Sequence, residues 1–432
     1  MSVALTSRRA ALAPGAWVRN ELWRRARAMP SLDLQFADRK SLRNQVTGAD
    51  LVTFTRASSG TYVDSQGVIK TAVTNEPRFD HNPTTGESLG LLVEEQRTNL
   101  LLRSEEFDNA SWALGAATVT ANAIAAPSGS LAADQLIETT ATANHEVSQS
   151  FTPSANTSYT LSCYLKAATA STCGLRFSAG LNGSGVICSV DLVAKTATVT
   201  NGTGTATIVT LADGWFRVSL TATASASPSN TFAYVFRSLG VAGSTSNSIY
   251  LWGAQVEAGA FPTSYIPTTT AAVTRSADVA SITGTAFSSW YRQDEGTVFS
   301  QGLIPPGLAN FPTLNNASDG TTNNQWSQYA YTNGLYANLK TGGVTQGDPG
   351  VTGSPTAYSS YKLSTGLSVN NLQTAWNGSL GTNDPSASMP TSLNQLRLGA
   401  AATGAAFINT TIARLTYWPA RLPNNVLQEI TR

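Results

Sequence analysis

The run GLLVEEQRTNLLLRSEEFDNASW, Gly90 to Trp112, crowds Glu94, Glu95, Arg97, Arg103, Glu105, Glu106 and Asp108 between leucines, in a 432-residue chain whose charged residues make up only 12%. Clustered carboxylates can act as general acids and bases, hold a metal ion, or form a structural ion network. The rest of the chain gives catalysis little to work with. Its two histidines, His81 in RFDHNP and His145 in TANHEV, have neither metal-ligand spacing nor a nucleophile motif beside them. GLNGSG, Gly180 to Gly185, has the glycines of a phosphate loop, but no helical pattern follows, so it reads as a hairpin turn. Asp319 and Asp384 are loop carboxylates of the kind calcium uses, without the spacing of a calcium-binding loop. Two acids from distant parts of the chain could still flank a glycosidic bond, because sequence spacing does not reveal such a pair. No cofactor and no metal are expected, and the acids read as architecture. Leu91 to Val93 form a strand, and Arg97, Thr98 and Asn99 bond the backbone groups left where it ends.

Sugar binding asks for different residues: flat rings to cover the apolar face of a pyranose, with amides and carboxylates for its hydroxyls. NNQWSQYAYTNGLY supplies them as Trp326, Tyr329, Tyr331 and Tyr336 among Asn and Gln. The same rings could instead fill a sandwich interior. Trp215, Trp252 and Trp418 stand in regular strand patterns and read as structural.

The elements that would position these residues are mostly strands. Ala, Ser, Thr, Gly and Asn dominate, and the length exceeds one hydrophobic core. Residues 1–30 read as a basic anchoring arm: six arginines against Glu21 give a local +5 in a chain of net +1. Within it, PGAWVRNELWRRARAMP predicts a short amphipathic helix with Val18, Leu22 and Ala26 on one side, marginal alone. Arg8, Arg9, Trp17, Arg19, Trp23, Arg24 and Arg25 are its expected docking residues, since aromatics beside arginines compose interface hot spots. Residues 31–105 read as a small β element and junction. Leu32, Leu34 and Phe36 alternate with polar residues, and TYVDSQGVIK forms a hairpin turning at Gly67.

Residues 106–268 read as a β-sandwich, with Leu161, Cys163 and Leu165 on one face of YTLSCYLKA. Residues 269–284 read as a linker and 285–432 as a second sandwich closing on a helix from Pro423 to Ile430. The three cysteines read as free buried thiols. The near-zero net charge argues against nucleic acid. No run approaches the roughly 18 apolar residues of a membrane span, and no signal-peptide core follows the first arginines.

SLDLQFADRKSL, the long run from FTRASSG to FDNASW, DGWFRVSLTATA and YLWGAQVEAGAFPTSYIPT occur in an order that resembles a family of tailed-bacteriophage virion proteins of the tail- or head-fibre type, over about residues 31 to 280. The middle segment is similar to carbohydrate-binding-module sandwiches. Residues 285–432 resemble a laminin-G or concanavalin-type jelly roll through WYRQDEGTVFS, AWNGSLG, LRLGA and FINTTIARLTYWPARLPNNVLQEIT. The resemblance implies tandem jelly-roll sandwiches in a non-enzymatic virion protein, a fibre or spike-like appendage made in the host cytoplasm. Its implied partners are other virion proteins through the arm, two further copies of itself in a homotrimer, and host-surface polysaccharide at the C-terminal sandwich. A capsid or tail decoration (cement) protein and a polysaccharide depolymerase are the alternatives.

Overall fold

The computed structural model describes residues 20–432. They divide into two compact units: Arg56–Ser88 with Gln96–Ala277, and the residues up to Thr55 with Leu89–Glu95 and Asp278–Arg432. Each is built on antiparallel β-sheets, so the mostly-β, tandem-sandwich reading holds.

The middle sandwich, 56–88 with 96–277, faces two six-stranded sheets together. One has the spatial order Thr205–Thr210, Phe216–Thr223, Ser158–Ala167, Ser248–Ala258, Leu131–Glu138, Ala117–Ala125. The other runs Thr196–Asn201, Val186–Asp191, Thr172–Phe177, Thr231–Ala242, Thr142–Phe151, Ala113–Gly115. The period-two pattern decides which side chains meet. Leu161, Cys163 and Leu165 stand opposite Leu220, Val218 and Phe216 and enter a core with Leu175 and Val235. Each such large side chain contributes about 1.5–3 kcal/mol on burial. Cys163, Cys173 and Cys188 are free and buried, and desolvation pushes the Cys163 thiol up to about 12 and Cys188 up to about 11, so neither forms a thiolate readily. The hairpin Gly60–Val63 and Ile69–Ala72, turning at Gly67 (φ 78°), puts Ile69 over the outer side of the first sheet. There Tyr164, Trp215, Trp252 and Tyr265 are all under 5% exposed.

In the terminal sandwich one sheet has the order Ser379–Leu380, Gln373–Trp376, Ser360–Ser368, Glu295–Leu303, Thr410–Trp418, and both Leu32–Gln35 and Ser88–Val93 pair with Thr410–Trp418. The other has the order Thr53–Thr55, Val279–Thr283, Gln395–Leu398, Thr313–Ser318, Gln325–Tyr331, Gly334–Thr341, Val344–Gly347. Between the sheets, Gln328 accepts from Ser300 Oγ (2.7 Å) and Asn315 Nδ2 (2.8 Å) and donates to Thr365 Oγ1 (2.9 Å). Helices Glu21–Ala26 and Asn424–Thr431 cover the outer side of the first sheet, packing Leu22, Trp23 and Ala26 with Phe299, Trp418, Leu427 and Ile430. Asp33, fully buried, fastens the first of them to the sheet: it accepts from Trp23 Nε1 (3.0 Å), Thr416 Oγ1 (2.8 Å) and Arg414 (2.7 Å). No helix among the described residues is long and apolar enough to cross a membrane.

Three sequence boundaries shift. The 31–105 element is divided between the units: Leu32–Gln35 and Thr53–Thr55 bury their apolar sides by joining the large sheets of the terminal sandwich, as Leu32 opposite Tyr417 shows, whereas Gly60–Val63 and Ile69–Ala72 pair only with each other. Leu32–Gln35 is buried on both faces rather than alternating, since Asp33 and Gln35 are needed beneath the helix. Within the 269–284 linker, Val273–Arg275 pairs with Arg97–Asn99, and Val279–Thr283 joins the second sheet of the terminal sandwich.

The arm reading changes from Asn20 onward. Trp23 is 3% exposed in the sandwich's own core, which removes it as a docking anchor. Arg25 bonds Glu21 and the carbonyls of Glu429 and Arg432, while Arg24 remains exposed. Arg8, Arg9, Trp17 and Arg19 lie outside the described residues.

Candidate functional site

The second sheet of the terminal sandwich turns one face inward and the other outward, and its register sorts the candidate residues. Gln328 reaches the opposite sheet, so its parity is interior. Trp326 shares that parity, is 2% exposed and donates Nε1–H to Tyr291 Oη at 3.0 Å. It is core and leaves the candidate set. Tyr329 and Tyr331 have the other parity, and Tyr336, directly opposite Tyr329, joins them on the outer face. All three are partly exposed.

Their rings are ordered. Tyr329 and Tyr336 lie with centroids 5.4 Å apart and planes 18° apart. Tyr331 is stacked on Phe311 at 4.3 Å and 2°. Phe311, 49% exposed, ends the 3₁₀ turn Leu308–Asn310 with φ 52°. Gly350 sits under Tyr336, and a Cβ there would overlap the ring, so a glycine lets the tyrosine lie against the strand.

Polar groups fix the rings. Tyr329 Oη donates to Asp348 Oδ2 at 2.8 Å and Tyr336 Oη donates to Asn333 Oδ1 at 2.9 Å. Burial first, then the Asp348 charge, holds the Tyr329 hydroxyl well above the ordinary phenol range, so it keeps its proton and serves as a donor. Along the same face the register continues through Ser327, Asn316 and Arg397, and through Gln325 and Lys340.

Sequence reading misses Phe311 and Asp348. ANFPTL reads as a strand, but only Thr313 onward is one, and the left-handed turn before it swings Phe311 onto the face. Asp348 arrives through the turn after Val344–Gly347. An aromatic just before a proline and an acid in Gly-Asp-Pro-Gly were the available signals.

The Glu94–Asp108 run is occupied with backbone and neighbouring side chains. Asn99 Nδ2 donates to the Ala254 and Ile266 carbonyls (3.1 and 2.9 Å), and its Oδ1 accepts from the Leu101 and Val256 amides. Arg97 donates to the Ala258 carbonyl, Arg103 pairs with Glu106 at 2.9 Å, and the Glu94 amide donates to Asp278 Oδ2 at 2.9 Å. His81 Nδ1 lies 2.9 Å from the Val63 carbonyl and His145 Nδ1 2.6 Å from that of Ala116. Asp319 and Asp384 cap their own turns through Thr321 and Ser386. Among the described residues no three His, Cys, Asp or Glu side chains gather as a metal site would need.

No family model matches the chain, and no curated protein matches it. Solved structures similar to parts of it include the CBM40 module of Ruminococcus gnavus IT-sialidase bound to α2,6-sialyllactose (17% identity, 32% of this chain and 84% of that chain, TM-score 0.29). Others are domains LG4-5 of the mouse laminin α1 chain (9% identity, 64% and 84%, TM-score 0.22) and the binding domain of botulinum neurotoxin serotype D (11% identity, 35% and 40%, TM-score 0.27). At these identities and TM-scores none carries a function over to this chain.

Proposed function

We propose that the chain is a non-catalytic glycan-binding protein whose site is the outer face around Tyr329, Tyr331, Tyr336 and Phe311. The observation that carries this is the two pairs of near-parallel rings on a sheet face where, among the described residues, they remain partly exposed, unlike the buried rings of the middle sandwich. Flat rings stack on the C–H face of a pyranose, and Asn333, Asn338 and Asp348 beside them match its hydroxyls. Weak single sites gain strength when many copies are displayed together. Calorimetric titration of oligosaccharide panels into the full chain tests the reading. Binding should be lost in a Tyr329→Ala/Tyr336→Ala double variant that keeps its melting temperature, and no new reducing ends should appear from any polysaccharide that binds. Absence of binding across the panel refutes it.

The resemblance of the sequence motifs to phage fibre proteins supports the further proposal that this activity belongs to a fibre or spike-like appendage, a homotrimer attached through the residues before Asn20. Attachment cannot use Trp23, so the relevant truncation removes residues 1–19 and spares Leu22, Trp23 and Ala26. That protein should stay folded, remain trimeric by light scattering and fail to enter particles. Normal incorporation excludes the anchor, and a stable full-length monomer excludes the trimer. Particles that contain the chain but adsorb to host cells equally well without it would instead favour a decoration protein.

A further inference from the structure

Beside the rings the same face is polar: Arg397 and Lys340 are partly exposed, while Asn316, Ser327 and Gln325 between them are buried. We propose that this polar part reads a carboxylate, so that the ligand is an acidic oligosaccharide, one pyranose stacked on the tyrosines and the carboxylate of a neighbouring uronic-type residue held by Arg397. This rests on the glycan-binding reading of the face.

Register places Arg397 opposite Asn316, Asn316 opposite Ser327, and Ser327 two positions from Tyr329. With strands about 4.8 Å apart and about 6.7 Å per two residues along a strand, the Cα atoms of Arg397 and Tyr329 are about 12 Å apart. A disaccharide bridges that span once the arginine side chain extends. Among the described residues Arg397 has no ion-pair or hydrogen-bond partner, although it is only partly exposed. Its position is nevertheless shaped: Gly404 has φ 75°, and a Cβ there would stand 2.9 Å from Arg397 Nη1, so this turn leaves room for the guanidinium. A planar fork of donors without a protein acceptor matches a carboxylate in two parallel bonds.

Beneath Arg397, Asn316 is 1% exposed and donates its Nδ2 to Gln325 Oε1 at 3.0 Å, a buried polar floor that leaves Arg397 as the group facing a ligand. Lys340, opposite Gln325, adds a second cation to the same face. The acid that touches the rings, Asp348, follows the strand at the opposite edge, is engaged by Tyr329 and has its charge partly offset by Lys340. An incoming carboxylate beside Arg397 therefore meets positive charge and is kept away from Asp348.

The probe is a set of uronate oligosaccharides of several linkages, each compared with its carboxyl-reduced neutral counterpart, titrated into the full chain at low and high salt. The acidic member of the best pair should bind at least about tenfold more tightly, the equivalent of one charge-assisted contact. Arg397→Gln should bring the acid-to-neutral ratio close to one, and Lys340→Gln should lower it by a smaller factor. Equal binding of both members, or an unchanged ratio in Arg397→Gln, overturns the carboxylate inference while leaving the stacking reading intact. Failure of acidic and neutral chains alike overturns both.

Discussion

Two sheet faces in this protein are rich in aromatic residues, and they have opposite fates. In the middle sandwich Tyr164, Trp252 and Tyr265 pack ring against ring, with Trp252 and Tyr265 centroids 4.7 Å apart, and Ile69 of the 60–72 hairpin closes over them. In the terminal sandwich Tyr329, Tyr331, Tyr336 and Phe311 are equally well ordered and remain partly exposed. The rings themselves do not distinguish the two. What distinguishes them is the 60–72 hairpin, far away in sequence, which closes one aromatic face, whereas among the described residues the other keeps its rings partly exposed. An ordered apolar surface left open is the kind that marks a binding site.

The difference makes unequal demands on mutation. Trp252→Ala should destabilise the middle sandwich by about 3–5 kcal/mol, as large aromatic truncations in cores do, measured by urea unfolding. The closed side of the terminal sandwich should behave alike: Asp33→Ala strands the half-buried Arg414 guanidinium and the buried Trp23 Nε1–H and should cost about 3 kcal/mol. On the open face, Tyr336→Ala should change stability by no more than about 1 kcal/mol yet weaken glycan binding by about tenfold. If Tyr336→Ala unfolds the domain as Trp252→Ala does, the two faces are not different in kind. Gly350→Ala is subtler. The added methyl overlaps the Tyr336 ring, so it should lower affinity by a few-fold with every ring still present.

Which parts of this were legible in the sequence follows from the range of the forces involved. The hairpin at Gly67, the alternation of Leu161, Cys163 and Leu165, and the final helix from Asn424 depend on local backbone preference and a single burial period. Three of the four candidate ring residues converge for the same reason, since Tyr329 and Tyr331 share a parity and Tyr336 pairs with Tyr329. Parity alone does not say which face is covered, however, and in QWSQYAY both faces carry aromatic and polar residues, so the sequence leaves Trp326 among the candidates with the interior as its alternative, and the interior is where it lies. The unit boundaries were out of reach because they are set by pairings such as Leu32 with Tyr417 and Thr53 with Ser281, across hundreds of residues. Arg397, in a strand that reads simply as LRLGA, becomes notable only when the register sets it beside Asn316.

The smallest effect expected concerns an acid at the edge of the covered face. Glu105 accepts a hydrogen bond from Tyr265 Oη at 3.0 Å, and burial raises its pKa above the ordinary value of 4.5, only partly offset by that bond. A carboxyl whose folded pKa is raised binds its proton more tightly in the folded chain than in the unfolded one. Its contribution is therefore fully present below the unfolded value and is lost as pH rises through the folded value, above which the loss is constant. The melting temperature of the middle sandwich should fall over that window, and Glu105→Gln, which keeps an acceptor for Tyr265 without the charge, should flatten the fall. Calorimetric scans at half-unit steps from pH 4 upward would show it. A slope unchanged in Glu105→Gln would mean that water reaches this carboxylate freely, and the aromatic face of the middle sandwich would then be less completely closed than its rings suggest.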